Sequence, residues 1–288
     1  MCVEGINRLS RTGPKRRAAG SDYPARVPDD RAAALLAFAH QILDETDAIA
    51  LDHFGGELTI DAKPDRTLVT QADTGVETRL RDRIASSYPT HTVAGEEFGT
   101  ASDGGDGRWI IDPIDATHNF VRGIEVFATL LAFERDGALQ LGVVSAPAMG
   151  RRWFARRGEG AHLRWAGHDR RIRTSRIGAL ADAQVNFSTL RGLEDAGMGE
   201  GLRRIIHRAW RDRGFGDFWG HMLVAQGAAE TMVEYGVKPW DMAAPYVVLT
   251  EAGGRMTDLD GTQSWTAANV LSSNGLLHDQ LLALLTEG

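Results

Sequence analysis

The chain has one cysteine, Cys2, in 288 residues, so no disulfide can form within it, which fits a reducing compartment. It lacks any apolar run approaching the ~20 residues that a membrane-spanning helix needs. Its N-terminal stretch is basic but has no apolar segment behind the charges, so it does not read as a signal peptide. Positive charge is the scarcer sign. With 32 Lys and Arg against 39 Asp and Glu, and a net charge of −7, no global field favours nucleic acid or an anionic membrane. There is no repeat period and no low-complexity interior. These absences lead to the expectation of a soluble, cytoplasmic, globular protein with no nucleic-acid or membrane partner.

What is present suffices for a full core. At 43% hydrophobic, the chain can build one large domain or two small ones. Residues 1–27 include RLSRTGPKRRAAGSDYPARV, are rich in Gly and Pro, and read as a disordered basic tail. Asp29 or Asp30 can cap a helix, and DDRAAALLAFAHQILDETDAIALDHF has helical spacing. ADTGVETRLRDRIASSYP predicts a second helix that stops before Pro89. HTVAGEE predicts a strand ending in two acids, and the polar loop GTASDGGDGR leads to strand WIIDPI. FATLLAFERDGALQLGVVSAPAMGRRWFARRGEGAHL holds strand-like runs separated by turn signals at Asp136-Gly137, Pro147 and Gly158-Glu159-Gly160. The second half mixes strand AQVNFST, helix GLRRIIHRAWRDR, strand GFGDF, helix HMLVAQGAAE, strand TMVEYG and helix DMAAPYVVLTEAGG. This is an α/β (α+β) pattern with sheet layers between helix layers. The charged segment GHDRRIR has few apolar anchors. It suggests a boundary between an N-terminal subdomain, 28–170, and a C-terminal one, 171–288.

The central question is posed by WIIDPIDATHNF, residues 109 to 120. An apolar run enters Asp112, Pro113 and Asp115, leaving two carboxylates at the mouth of a core. Glu96 and Glu97 end another predicted strand, and Asp241 opens a helix after Trp240. Each has a plain structural reading. Asp115 could cap a helix starting near Ala116 or Thr117, Asp241 could cap or favourably charge its own helix, and Glu96 could be a surface acid. Together, however, several unpaired carboxylates at strand ends would repel one another and raise their pKa values. A hard divalent cation resolves this, because Mg²⁺ takes oxygen ligands and keeps some waters. The amides of the turn after Asp115 could hold phosphate oxygens while metal ions bridge to them.

Four segments carry a specific resemblance: KPDRTLVTQAD (63–73), GEEFG (95–99), WIIDPIDATHNF (109–120) and WDMAAPYVVLTEAGG (240–254). In order, spacing and identity the chain resembles the inositol monophosphatase superfamily of Mg²⁺-dependent, lithium-sensitive phosphatases. The resemblance implies a layered αβαβα sandwich of the inositol monophosphatase / fructose-1,6-bisphosphatase type, with two or three Mg²⁺ ions per site. Glu96, Asp112 and the carbonyl of Ile114 would hold the first metal. Asp112, Asp115 and Asp241 would hold the second, and a third would lie near Glu96. The phosphate would rest on the metals and on the amides of Ala116 and Thr117. Thr117, with Asp73 behind it and Glu96 beside it, would orient and deprotonate an attacking water, without a covalent enzyme intermediate. Lys63, ahead of Pro64 in an extended loop, would add positive charge near the phosphate, or is a solvated loop lysine. Two positions depart from the family's commoner residues. Ala116 stands where Gly is usual, and glycine there suggests close approach or an unusual backbone angle. His118 stands where Thr or Lys is frequent. It is a poor Mg²⁺ ligand, and reads as a substrate or phosphate contact or as a helix-surface histidine.

The alcohol half of the substrate must be read from the far wall, in FVRGIEVFATLLA, GFGDFWGHM and VEYGVKPWD. NFVRG, SAPAMGRRWFARRGEGA and GDF look most like the histidinol-phosphatase branch. That points to histidinol phosphate, hydrolysed to histidinol in histidine biosynthesis, with inositol 1-phosphate or another small sugar or metabolite phosphate as the alternative. Asp217 and Glu234 could pair with cationic groups of the substrate, with Asp115 facing it as well. Phe218, Trp219 or Phe127 could stack on an imidazole. Asp217 also reads as a helix N-cap, and Glu234 does not discriminate, since the inositol enzymes use an acid there to bind a hydroxyl. RRWFARR interleaves basic and aromatic residues as nucleic-acid surfaces do. Strand alternation explains it equally well, with Trp153 and Ala155 on one face and Arg152 and Phe154 on the other. The family is usually dimeric, so a homodimer is expected by analogy. A catalytically inactive metal-binding regulatory protein would lack a ligand or the Thr117–Asp73 pair, and neither is missing.

Overall fold

The first helix, α1 (Asp29–His53), ends one residue short of the predicted span, and its buried Leu35, Ala39, Ile42, Leu43 and Ala50 recur on one face. A hairpin of β1 (Ile60–Ala62) and β2 (Leu68–Thr70) leads into α2 (Gln71–Ser87). Thr70 caps α2. Its hydroxyl oxygen accepts the Ala72 amide at 3.1 Å, and Asp73 returns the favour to the Thr70 amide at 2.8 Å. Tyr88 ends the helix, because the residue before Pro89 is steered out of helical geometry. Next come β3 (Thr92–Gly95), β4 (Gly99–Thr100), β5 (Arg108–Asp115) and the short α3 (Thr117–Val121). They are followed by β6 (Ala128–Arg135), β7 (Ala138–Ala146), β8 (Arg151–Arg156), β9 (Gly160–Trp165) and β10 (His168–Ile172). The expected turn joins β6 to β7, with Asp136 at φ 52 and Gly137 at φ 73, the double positive φ of a tight hairpin. The remaining elements are β11 (Gln184–Phe187), α4 (Leu190–Asp195), α5 (Gly199–Ile206), β12 (Arg211–Arg213), α6 (Asp217–Ala225), β13 (Thr231–Glu234), α7 (Pro239–Glu251), β14 (Arg255–Thr257), β15 (Val270–Ser273) and α8 (His278–Thr286). This computed structural model describes residues 29–63, 67–100 and 105–287. The expected basic tail, Pro64 and part of the polar loop after Thr100 lie outside the described residues.

An eight-stranded sheet has the order β10-β9-β8-β7-β6-β5-β3-β4, antiparallel except for the β3–β5 pair. A five-stranded sheet has the order β12-β11-β13-β15-β14. Alternation along the strands feeds both faces of the large sheet. Trp109, Ile111, Leu131, Phe133, Leu141 and Val143 pack with α1 and α2, while Ile110, Leu130, Ala132, Val144 and Trp153 pack with α6 and α7. The small sheet buries Met232, Met256 and Val270 against that middle helical layer, and Val185, Val233 and Leu271 against α5 and α8. The result is the expected αβαβα sandwich. Gly142 lets the middle layer approach: a Cβ there would lie 2.7 Å from the Ala244 carbonyl of α7. Among the described residues no helix is long and apolar enough to cross a membrane.

Three local expectations are corrected. The helix expected over GLRRIIHRAWRDR stops at Ile206, and Arg211–Arg213 is the edge strand β12, paired in parallel with β11. GFGDF is not a strand: its glycines are irregular and Asp217 already starts α6. That helix therefore begins four residues before the predicted His221, and it ends at Ala225. The alternation expected in RRWFARR holds, and Arg152 is committed inside the protein. It bonds Asp47 at 2.6 Å, Asp44 at 2.8 Å and Ser145 at 2.9 Å, tying α1 to β7 and β8.

Candidate active site

The end of β5 builds the floor of the site. On a regular strand, residues three apart face opposite sides. Against β6, however, the register runs Asp112 to Leu130 and then Asp115 to Ala128, so three steps on β5 meet two on β6. The extra residue is a bulge, and it turns both carboxylates to one side. Pro113 tolerates the bulge because it has no amide to give the ladder, and its carbonyl accepts Thr129 Oγ1 at 2.8 Å. Asp241 arrives from the first turn of α7, where one carboxylate oxygen accepts the Lys238 amide at 2.7 Å. Lys238 is the cap and Asp241 the third helical residue, so of the plain readings it is the favourable first-turn charge that holds, and Asp241 also joins the cluster. Oxygens of Asp112, Asp115 and Asp241 lie within 4.8 Å of one another.

These charges are not compensated by the protein. Asp112 is 2% exposed, and its Oδ1 has no hydrogen-bond partner. Burial above all, then Glu96, Asp115 and Asp241, push its pKa well above the usual carboxylate range. Burial and then Asp217 and Asp241 do the same to Asp115, against the pull of the Phe218 amide at 2.8 Å. Burial raises Asp241 to about 7, opposed by the Lys238 amide. An orphaned buried oxygen in an oxygen-only donor set fits a hard divalent cation.

The chain leaves β5 through Ala116 at φ 66, ψ 45, the left-handed region. This is the unusual backbone angle that the glycine common at this position suggested, and an L-residue adopts it at a cost of about 1 kcal/mol. The amides of Thr117 and His118 then head α3, where no earlier turn supplies acceptors. Thr117 Oγ1 lies 3.0 Å from the Ile114 carbonyl and 3.4 Å from Asp73 Oδ1. Asp73, fully buried and raised in pKa by that burial, accepts Thr70 Oγ1 at 2.6 Å with its other oxygen. The pair expected to handle the attacking water is thus brought together.

Glu96 lines the same cavity but stands apart from the three aspartates. Lys63 Nζ holds it at 2.7 Å and Glu97 at 2.8 Å. Burial lowers the Lys63 pKa, but the hydrogen bonds it donates to both glutamates more than reverse this, leaving it raised. Burial lifts Glu97 to about 7 in spite of Lys63.

Around this floor is a cavity of about 730 Å³, lined also by His118, Asp217, Tyr235, Lys238 and Trp240. A second hollow of about 320 Å³, lined by Asn119, Ile124, Ser188, Phe215 and Trp219, shares Asp217 with it. Asp217 is the first residue of α6 at φ 56; the cap is Gly216, so the N-cap alternative is corrected. The residue is exposed and lines both cavities, while burial of its carboxyl raises its pKa against the pull of His118. Glu234, 5% exposed, lies behind it: Oε2 accepts the Asp217 amide at 3.1 Å. Burial and then Asp217 raise Glu234 to about 8. Phe127 and Phe218 are core residues, 1% and 0% exposed, which corrects their expected role in stacking on a ligand. Trp219 stays on the wall, with the Arg151 guanidinium 5.4 Å from its ring centre.

Sequence reasoning missed Glu77, which is fully buried on α2 and bonded to the turn that carries Glu96. A helical wheel would have found it, because Glu77 shares the buried stripe of Asp73, Val76, Leu80 and Ile84.

A five-layered sandwich with an all-carboxylate cluster beside a helix-headed turn defines a phosphatase scaffold. The sequence pattern of the inositol monophosphatase family matches residues 32–287, and the chain belongs to that family. It is 42% identical over 258 residues to the histidinol-phosphatase of Streptomyces coelicolor, covering 88% of this chain and 97% of that one. It is 42% identical over 255 residues to the histidinol-phosphatase of Mycobacterium tuberculosis, covering 88% and 98%. Among solved structures, the extragenic suppressor protein suhB of Bartonella henselae superposes with a TM-score of 0.81 at 27% identity, over 88% of this chain and 99% of that one. The IMPase of Thermotoga maritima gives 0.78 at 30% identity, over 88% and 97%.

Proposed function

We propose that this chain is a Mg²⁺-dependent phosphoric monoester hydrolase whose substrate is histidinol phosphate, in histidine biosynthesis. The observation that carries the phosphatase reading is the convergence of Asp112, Asp115 and Asp241 beside the turn at Ala116 and Thr117. The substrate reading rests on the names of the relatives at 42% identity and on Asp217, an acid open to the cavity on its far wall.

The residues divide the chemistry between them. Asp112, Asp115, Asp241, Glu96 and the Ile114 carbonyl would hold two or three cations, which when bound supply positive charge to the phosphate and acidify water. The amides of Ala116 and Thr117 meet phosphate oxygens, and Lys63 adds charge from the side. Asp73 orients the Thr117 hydroxyl, which positions the attacking water with Glu96 beside it. Asp217 accepts a charge-assisted hydrogen bond from the ammonium or imidazolium of the alcohol half. Glu234 keeps Asp217 in place by holding its amide. Residues 28–170 supply the floor and 171–288 supply Asp241 and the wall, so both halves are needed for turnover. Cytoplasmic residence, a homodimer and lithium sensitivity belong to the same proposal, the first supported by the lone cysteine and the others by analogy with the family.

The test is phosphate release with Mg²⁺ from histidinol phosphate and from inositol 1-phosphate at equal concentration. A large preference in kcat/KM for histidinol phosphate is expected. A preference for the inositol ester would keep the floor as read and overturn the reading of the wall.

A further inference from the structure

Glu77 has no part in the chemistry above, yet its carboxylate crosses from α2 to the turn that carries Glu96 and Glu97. Oε2 accepts the Glu97 amide at 2.8 Å. Oε1 accepts the Phe98 amide at 3.2 Å and Nε of Arg81 at 2.8 Å. Arg81 in turn donates to the carbonyl of Gly99. One ion pair, with its carboxylate fully buried and its guanidinium partly so, therefore ties down three successive residues of the turn. The amide of Glu96 itself bonds the Ile111 carbonyl of β5 at 3.2 Å. Gly95 completes the arrangement. A Cβ there would lie 2.2 Å from Glu77 Oε1 and 2.5 Å from its carboxyl carbon, so the carboxylate fills the space that glycine leaves.

We propose that Glu77 is a positioning residue for the cation site. Through the backbone of Glu97 and Phe98 it fixes the direction in which the Glu96 side chain enters the cavity, and it touches neither cation nor substrate. This rests on the cation-dependent reading of the Asp112 cluster. Without the two acceptor bonds the turn loses its tie to α2 at Glu97 and Phe98, and the Glu96 side chain is held chiefly by Lys63. Asp112, Asp115 and Asp241 stand on other elements and keep their places. The signature is therefore a loss of cation affinity rather than of chemistry at saturation.

The experiment titrates Mn²⁺ into the wild type, Glu77→Gln, Glu77→Ala, Gly95→Ala and the Glu77→Ala/Gly95→Ala double variant, reading the free ion by electron paramagnetic resonance. Thermal unfolding and Mg²⁺-dependent turnover are followed in parallel. Glu77→Ala is expected to weaken Mn²⁺ binding about tenfold, the loss typical when an outer partner of a metal ligand is removed. Glu77→Gln keeps an acceptor oxygen but turns an amide toward backbone donors, and is expected to lose about threefold. Turnover at saturating Mg²⁺ should stay within about twofold of wild type. Gly95→Ala should match Glu77→Ala and add nothing in the double variant, because both remove the same contact. Should Glu77→Ala fail to fold, Glu77→Gln and Gly95→Ala carry the test. Folded variants with a lowered Tm and unchanged Mn²⁺ affinity would overturn the proposal. A wild type that binds no Mn²⁺ would overturn the cation-dependent reading on which it rests.

Discussion

The floor of the cavity and its far wall are built on opposite plans. On the floor, each aspartate stands at the end of a regular element, fixed by a strand bulge or a helix cap, and the ligand oxygens are packed into protein. On the wall, Asp217 sits at a positive φ at the very start of a helix, open to solvent, with His118 exposed across from it. On the proposed reading, regular elements hold the mutually repelling groups that a cation would relieve, and a residue at a strained helix start would meet the part of the substrate that differs between relatives. A common reaction centre can then serve different alcohols by changing the wall alone.

The sharpest way to break that comparison is at the floor. Asp112→Asn is expected to lower kcat/KM by at least about a thousandfold, or about 4 kcal/mol by rate arithmetic. Its cation-free fold should be no less stable than wild type, because one of the repelling charges is gone. The sign follows from the raised folded pKa values. Metal-free wild type binds protons more tightly than its unfolded chain, where an aspartate keeps its ordinary pKa of 3.8, so its stability falls as pH rises from there through the value of about 7 at Asp241. Asp112→Asn flattens that fall. Thermal unfolding in chelator across this range, alongside turnover, checks both halves. Near wild-type turnover in the variant would remove the cation model of the floor.

A smaller effect tests the wall. Asp217→Ala should raise KM for histidinol phosphate about tenfold or more, the scale of a lost hydrogen bond to a charged group, and barely change KM for inositol 1-phosphate. Equal effects on both esters would make Asp217 a structural residue and dissolve the distinction between wall and floor.

The same contrast explains what could be read in the sequence. The floor was legible because cation chemistry demands carboxylates, and four carboxylates at element ends, Glu96, Asp112, Asp115 and Asp241, have no bland joint explanation. The layered fold was legible because Leu35 to Ala50 and the runs from Phe127 to Leu163 keep helical and strand periods. The bulge that makes Asp112 and Asp115 face together was not, since it exists only as a register between β5 and β6. β12 was hidden for a related reason: Arg-Asp-Arg has no strand signature, and only pairing with β11 extends it. Phe127 and Phe218 misled because an aromatic beside a site and an aromatic in a core look alike until burial is known.

The smallest expected effect falls at the joint between the two regions. Ala116 takes a left-handed angle that costs an L-residue about 1 kcal/mol, so Ala116→Gly removes strain from the turn. Glycine also has more freedom to lose on folding, which offsets about 0.4–1 kcal/mol of that gain. The two nearly cancel, and Tm should shift upward by no more than about 2–4 °C. Turnover is the more informative readout. If the methyl group stands clear of the phosphate, kcat/KM stays within about twofold and the alanine is tolerated strain alone. A gain well beyond that for every phosphate ester would place the methyl against the bound phosphate. A gain for one ester only would mean that the turn, built as floor, also reads the alcohol.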